Sequence, residues 1–425
     1  MSTTPEYDGR DLLRLTTAGS VDDGKSTLIG RLLADAGALA SDQLAQLAAQ
    51  AARDGREEID LARITDGLTA EREQGITIDV AYRYFATPAR SYILADVPGH
   101  EQYTRNMVTG ASKASAALFL VDARGGMTRQ TRRHVGIAAL LGIRDMVFAV
   151  NKMDLVDFAE DSFRESEAEI ALLTSRLRWR TREVVPVSAK GGDNVVTRSR
   201  AMDWYAGPTL IEVLDGLPPT GGEADGPFRM AIQLALRPQG RDTHDFRGYA
   251  GRIGRGAVAV GDRIAILPGE RHSTVTGILT PGGPRDTAGA GQSVTLTLSD
   301  DIDAGRGFVL AATEAPARQA RELTAALCWL DDLPQDPRAS YLLRAGTRGV
   351  AARIAVPETR LDIDTLAPVP GGAPLHANEI GTAMIRLQDD IAYDAYAACR
   401  ATGAFIVIDP RTNATVAAGM IDHGL

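Results

Sequence analysis

At 425 residues the chain is too long for one typical hydrophobic core and points to two to four domains. With 55 acidic against 46 basic residues its net charge is −9, so no general pull towards nucleic acid or an anionic membrane is expected. Two distant cysteines, Cys328 and Cys399, with no CxxC, argue against a disulfide framework or a zinc site and read as buried thiols; with no basic-then-apolar leader and no apolar run near the roughly 18 residues of a spanning helix, a cytoplasmic protein is expected.

Short apolar runs at Leu12–Leu15, Tyr92–Asp96, Ala116–Asp122, Met146–Asn151 and Val184–Val187 have the length and uniformity of fully buried parallel strands. Helical spacing intervenes, at Leu28, Leu32 and Leu33 and again at Leu44, Leu47 and Ala48. This alternation predicts an α/β domain over residues 1–222, with a mostly parallel sheet and helices on both faces, ending in a Pro- and Gly-rich linker from Leu217 to Gly226. The period then changes to two. Met230–Leu236, Gly248–Ile253, Arg263–Leu267, Ser293–Leu298 and Phe308–Ala311 are expected to form a small barrel over residues 223–317. A second strand-rich region, 318–425, contains Ser340–Leu343, Ala352–Ala355, Ile380–Leu387, Phe405–Ile408 and Thr415–Ile421, the last two joined by a turn at 409–413. Neither region is basic: 223–317 holds 10 arginines against 11 acids, and 318–425 holds 10 against 13.

Gly19-Ser-Val-Asp-Asp-Gly-Lys-Ser26 follows the first strand and opens a helix, the setting of a P-loop. Gly19, Ser20, Val21, Asp22, Asp23 and Gly24 let backbone N–H groups curl around phosphate oxygens, and the helix start at Lys25, Ser26 and Thr27 adds partial positive charge. Lys25 is expected to reach the β- and γ-phosphates and Ser26 to offer a hydroxyl to Mg²⁺. Asp96-Val-Pro-Gly99-His100 closes a strand: Asp96 can hold Mg²⁺ through water, Gly99 can donate its N–H to the γ-phosphate, and His100 can orient an attacking water. Gly75-Ile-Thr77 reads as the segment that senses the γ-phosphate, Thr77 completing the metal shell, with Val21 and Ile76 as an apolar gate beside His100.

Asn151-Lys-Met-Asp154 follows another strand. The Asp154 carboxylate can accept from the N1–H and 2-amino group of guanine, a pattern adenine lacks. Asn151 can bridge loops or touch the base, and the Lys152 stem can lie over the ring. Ser188-Ala189-Lys190 fits the loop whose backbone contacts guanine O6. Lysine is scarce here: among 46 basic residues only Lys25, Lys113, Lys152 and Lys190 are lysine, and three of these sit in the predicted GTP site.

These five pieces identify a member of the translation-factor class of GTPases. Longer stretches resemble the large, GTP-binding subunit of bacterial sulfate adenylyltransferase: the run from Asp66 to Phe85, Asp96 to Met107, Asp122-Ala-Arg followed by Gln130-Thr-Arg-Arg-His134, Asp245-Phe-Arg-Gly-Tyr-Ala-Gly251, Asn378-Glu-Ile-Gly381 and Thr415 to Met420. Val97 stands where that family commonly has Thr or Cys, and Lys190 where it often has Leu. The resemblance implies a P-loop GTPase domain followed by two β-barrels, as in elongation factor Tu, GTP and Mg²⁺ as cofactors, and a separate small catalytic subunit as partner. That subunit makes adenosine 5′-phosphosulfate and pyrophosphate from ATP and sulfate, driven by GTP hydrolysis on the large subunit. With no second P-loop before Leu425, the kinase fused to some relatives is not expected. The rival reading, GTP-gated delivery of aminoacyl-tRNA, shares the domains but lacks the Asp66–Phe85 signature and calls for basic RNA-binding grooves.

Overall fold

The computed structural model describes residues 11–39, 53, 61–64, 77, 79–219, 224–237 and 246–423. The helical repeat at Leu44, Leu47 and Ala48, the residues Asp66 to Ile76, linker residues 220–223 and Asp245 lie outside the described residues. The chain divides into two compact units, Met1–Thr220 with Asp362–Ala367, and Gly221–Leu361 with Pro368–Leu425.

In the first unit β1 (Leu12–Ala18), β2 (Ala81–Ala86), β3 (Ser91–Asp96), β4 (Ala116–Asp122), β5 (Asp145–Asn151) and β6 (Thr181–Pro186) form one sheet in the order β2-β3-β1-β4-β5-β6. Five strands run parallel. The exception is β2, which pairs antiparallel with β3 along the edge. It was not foreseen as a strand, because an edge strand shows one wet face and no apolar run: Tyr82 and Tyr84 point outward while Phe85 is buried and stacks on Tyr92 at 4.4 Å. The central strands explain the uninterrupted apolar runs. Leu118 and Leu120 pack with Leu28, Leu32, Leu210 and Leu214, whereas the alternate residues Phe119 and Phe148 stack on each other at 5.1 Å and are equally inaccessible. Both faces are therefore covered by α1 (Lys25–Asp35), α2 (Thr104–Ala111), α3 (Arg129–Leu140), α4 (Glu160–Thr174) and α5 (Leu210–Gly216).

The strand order reverses at β1, whose parallel neighbours β3 and β4 lead outward in opposite directions. The carboxyl ends of β1, β3, β4, β5 and β6 therefore lie along one edge, where α/β sheets bind ligands. Each of these ends runs into one of the sequence stretches singled out above.

The second unit holds two closed six-stranded antiparallel barrels. In the first, Arg263–Leu267 pairs with both Arg271–Thr280 and Val309–Ala312, closing a ring completed by Arg229–Leu236, Gly248–Arg255 and Ser293–Leu298. Arg271–Thr280 escaped the sequence reading because Gly277 and a bulge at Val275/Gly277 break its alternation. In the second, Arg318–Trp329 pairs with Thr415–Ile421 and Ile380–Tyr393, and Tyr341–Ala345, Arg348–Ile354 and Ala404–Ile408 close the ring. The predicted turn forms as read: Asn413 takes φ 59°, its N–H bonds to Asp409 O at 2.8 Å, and the Asp409 carboxylate accepts from Arg411 N at 2.8 Å.

One buried ion pair links residues of the two barrel sequences. Arg229, 3% exposed, donates Nε and Nη2 to the two carboxylate oxygens of Asp394 at 2.8 and 2.9 Å, and Thr402 Oγ1 donates to the same carboxylate at 2.6 Å. Burial pushes the Asp394 carboxyl up, but Arg229 and Thr402 outweigh it and hold the pKa below its ordinary value. Arg229→Ala strands that carboxylate and should cost about 3–5 kcal/mol in denaturant unfolding of the chain; a loss below about 1 kcal/mol would mean the pair is solvated and idle.

Candidate functional site

α1 opens at Gly24, whose φ of 87° places it in the left-handed region. A Cβ there would stand 2.4 Å from Asn151 Nδ2, so both conformation and space demand glycine. The helix has no side-chain cap and no acidic residue in its first turn. Its first N–H groups and the positive end of its dipole are thus left for an external anion.

Lys25 is 7% exposed, and its ammonium donates to Asp96 Oδ1 at 2.7 Å and to Thr77 Oγ1 at 2.9 Å. The three predicted pieces, P-loop, strand-end aspartate and sensing threonine, thus meet at one ammonium. Asp96 is 1% exposed at the carboxyl end of β3. Three residues on, Gly99 lies against the loop so closely that a Cβ would be 2.9 Å from Gly19 O and 3.2 Å from Val21 N. This contact brings His100 to the mouth of the P-loop. Half-buried His100 caps the short turn Glu101–Tyr103, its Nδ1 accepting from Gln102 N at 3.5 Å. The turn is tied to α3 by Arg133 Nη2, 2.8 Å from Glu101 Oε1. Val21 is 36% exposed; Ile76, its partner in the expected gate, lies outside the described residues. Ser26 and Thr27 are half-buried in the first turn of α1. The hydroxyls of Ser26 and Thr77 and the Asp96 carboxylate are hard oxygen donors of the kind Mg²⁺ takes, and the cation already bound by the last two shows that they face one point.

On the base side, both possible roles of Asn151 were left open by the sequence. Its side chain bridges loops: Nδ2 donates to Asp23 O at 2.8 Å and Oδ1 accepts from Ala189 N at 2.9 Å. Asp154 Oδ1 accepts from Ser188 Oγ at 2.7 Å, which orients the carboxylate. Lys152 takes φ 63° and its ammonium bonds Asp122 Oδ2 at 2.9 Å.

Three contributors were given no role in the site by the sequence. Asp122 holds Lys152 and is itself gripped by Arg124 through Nε at 3.0 Å and Nη2 at 2.7 Å. Burial raises its pKa, yet Arg124 and Lys152 prevail and keep it far below the carboxylate range. Arg31 on α1 donates to the carbonyls of Ala189 at 3.2 Å and Lys190 at 2.5 Å, pinning the loop after β6. Thr131 on α3 approaches Asp23 at 3.5 Å. The first had a faint signal, an acid closing the apolar run of β4; the other two pair residues more than a hundred positions apart. His134, fully buried on α3 with Nε2 facing the Gln130 amide at 2.8 Å, is pushed down to about 3 by burial, with Arg133 and Lys25 adding to the effect, and stays neutral.

Residues 10–220 match the Elongation factor Tu GTP binding domain, and residues 322–422 the GTP-eEF1A C-terminal domain-like family. Sulfate adenylyltransferase subunit 1 of Teredinibacter turnerae is 45% identical over 422 residues, 99% of this chain and 89% of its own length. That of Vibrio vulnificus is 46% identical over 423 residues, covering 99% and 88%. The chain belongs to the sulfate adenylyltransferase subunit 1 family. The bifunctional enzyme NodQ of Rhizobium meliloti is 47% identical over 423 residues, 99% of this chain but 65% of its own length. The chain thus spans slightly under two-thirds of that relative. The first match makes residues 10–220 a GTP-binding domain, and the second covers the last barrel. Among the described residues no helix is long and apolar enough to cross a membrane.

Asp23, in the phosphate loop, is pushed towards neutrality. Burial raises it from 3.8 to about 6. The folded state therefore binds a proton more tightly than the unfolded chain, and stability falls as pH rises through the interval 3.8–6. Asp23→Asn should stabilise the chain at pH 8, by an amount of the order of 3 kcal/mol, and leave it unchanged near pH 3.5. Equal melting temperatures at pH 8 would show that the carboxylate is not desolvated.

Proposed function

We propose that this chain is the GTPase subunit of a sulfate adenylyltransferase: its GTP hydrolysis drives a separate small catalytic subunit to form adenosine 5′-phosphosulfate and pyrophosphate from ATP and sulfate. The observation that carries the reading is the meeting of Lys25, Thr77 and Asp96 behind an uncapped helix start, in a chain of this family. Residues 1–222 serve as the GTPase domain, and 223–317 and 318–425 as the two barrels, in a cytoplasmic enzyme.

In this reading Gly19 to Thr27 wrap the phosphates with backbone N–H groups, and Lys25 reaches the β- and γ-phosphate oxygens. Ser26, Thr77 and Asp96 would hold Mg²⁺, which when bound neutralises phosphate charge. The Gly99 N–H meets the γ-phosphate, and His100 orients a water for in-line attack on its phosphorus. The bond to the β-phosphate bridging oxygen breaks, and GDP and phosphate form. Asp154, aimed by Ser188, selects guanine; Asn151 locks the base loop to the P-loop; Lys152 lies along the ring; Ala189 and Lys190 frame the O6 edge. Thr77 would link the site to its surroundings, since it is placed to hold the metal only while the γ-phosphate is present. Two switch states of unlike affinity for the small subunit are what coupling requires.

The test is GTP turnover by the chain alone and with the small subunit, ATP and sulfate. Stimulation by the complete mixture is expected, and His100→Ala should reduce turnover about a hundredfold or more while leaving GTP affinity within a few fold. Turnover indifferent to the mixture would remove the pathway assignment, and normal turnover by the variant would remove His100 from the chemistry.

A further inference from the structure

The hydrolysis reaction makes no use of one carboxylate built into the phosphate loop. Asp23 is 4% exposed. Its Oδ2 accepts the Ser20 N–H at 2.6 Å and the Thr131 hydroxyl at 3.5 Å, and its carbonyl accepts from Asn151 Nδ2 at 2.8 Å. The P-loop, the Asn151–Asp154 segment and α3 are all joined through this residue. Among the described residues it forms no ion pair: the ammonium of Lys152 acts on it only at a distance, being bound to Asp122, and Asp122 is a second negative charge facing the same place. Along α3, His134 lies one turn beyond Thr131 and is neutral. A buried anion lodged within an anion-binding loop works against the loop's ligand.

We propose that Asp23 is a positioning residue that sets the affinity of the loop for a phosphate chain: it braces the loop through Ser20, Asn151 and Thr131, and the loop holds a nucleoside di- or triphosphate best when the Asp23 carboxyl carries a proton. The inference rests on the nucleotide reading of the site and deepens it. Burial, with Asp122 adding, lifts this carboxyl to about 6 against the pull of the Ser20 N–H, Lys152 and Thr131. It therefore titrates close to neutral pH, and a polyanion arriving at Gly19 to Ser26 raises it further. Binding then draws a fraction of a proton from the buffer onto the carboxyl, and by reciprocity protonation tightens binding. The brace survives the change, since a neutral carboxyl still offers an oxygen to the Ser20 N–H. Asparagine offers the same oxygen and no charge.

The experiment is calorimetric titration of the unaltered chain and of Asp23→Asn with GTP in Mg²⁺, from pH 5.5 to 8, in two buffers of unlike ionisation heat. The nucleotide's own titration is common to both proteins and cancels. At pH 7.5 the variant should bind GTP about fivefold or more tightly than the unaltered chain, the gap should close near pH 5.5, and only the unaltered chain should take up the additional fraction of a proton. Equal or weaker GTP binding by the folded variant at pH 7.5, or equal proton counts, overturns the proposal while leaving the GTP site intact. An unaltered chain that gives no GTP heat at any pH takes down the site reading as well. If the variant does not fold, carboxyl-detected NMR of the unaltered chain decides: the Asp23 midpoint should move upward on addition of GDP, and an unmoved midpoint overturns the proposal.

Discussion

One buried ammonium organises the first unit. Lys25 can be 7% exposed and charged only because Asp96 and Thr77 face it, and an unpaired charge at that depth would cost several kcal/mol. The pair fixes the carboxyl end of β3 against the start of α1. Gly99 then has to pass within van der Waals contact of Gly19 and Val21, and His100 follows it to the mouth of the loop. The strand reversal at β1 supplies the crevice, and the left-handed Gly24 turns the chain tightly enough to enter it. The end of the site proposed to hold phosphate is thus a consequence of satisfying one cation.

The end proposed to hold the base is fixed by a different device. Asn151 spends both ends of its amide on backbone, one on the P-loop and one on the loop after β6. Arg31 reinforces the second from α1. The two ends of the proposed site therefore share one hydrogen-bonded frame, and pre-organisation of this kind lowers the entropy lost when a ligand binds. The same frame contains a group that opposes an anion, Asp23, so the pocket carries its own counterweight.

Much of this was legible because its signals are local. The apolar runs of β4 and β5 are uninterrupted because both faces of those strands are buried, and the P-loop, Asp96-Val-Pro-Gly99 and Asn151-Lys-Met-Asp154 each lie within a few residues at a strand end. What stayed hidden was of two kinds. The edge strand Ala81–Ala86 and the bulged Arg271–Thr280 carry solvent on one face or a break in period, so no pattern marked them. The partners of Asp23, Lys152 and Ala189 are brought in by topology: Thr131 is 108 residues from Asp23 and Arg31 is 158 from Ala189. Residue type at a position says what a side chain can do, but only the fold says which neighbour takes its charge, and so how Asp122 and Asp23, both strand-end or loop aspartates, come to lie on opposite sides of the ordinary carboxylate range.

In the proposed function a single ammonium, backed by Asp96 and Thr77, grips the phosphates of a guanine nucleotide. Calorimetry with GTP and with ATP on the folded, magnesium-replete chain and on Lys25→Ala tests it most directly. The unaltered chain should bind GTP and not ATP, and the variant should lose about a hundredfold or more in GTP affinity. GTP bound equally well without the lysine would contradict it.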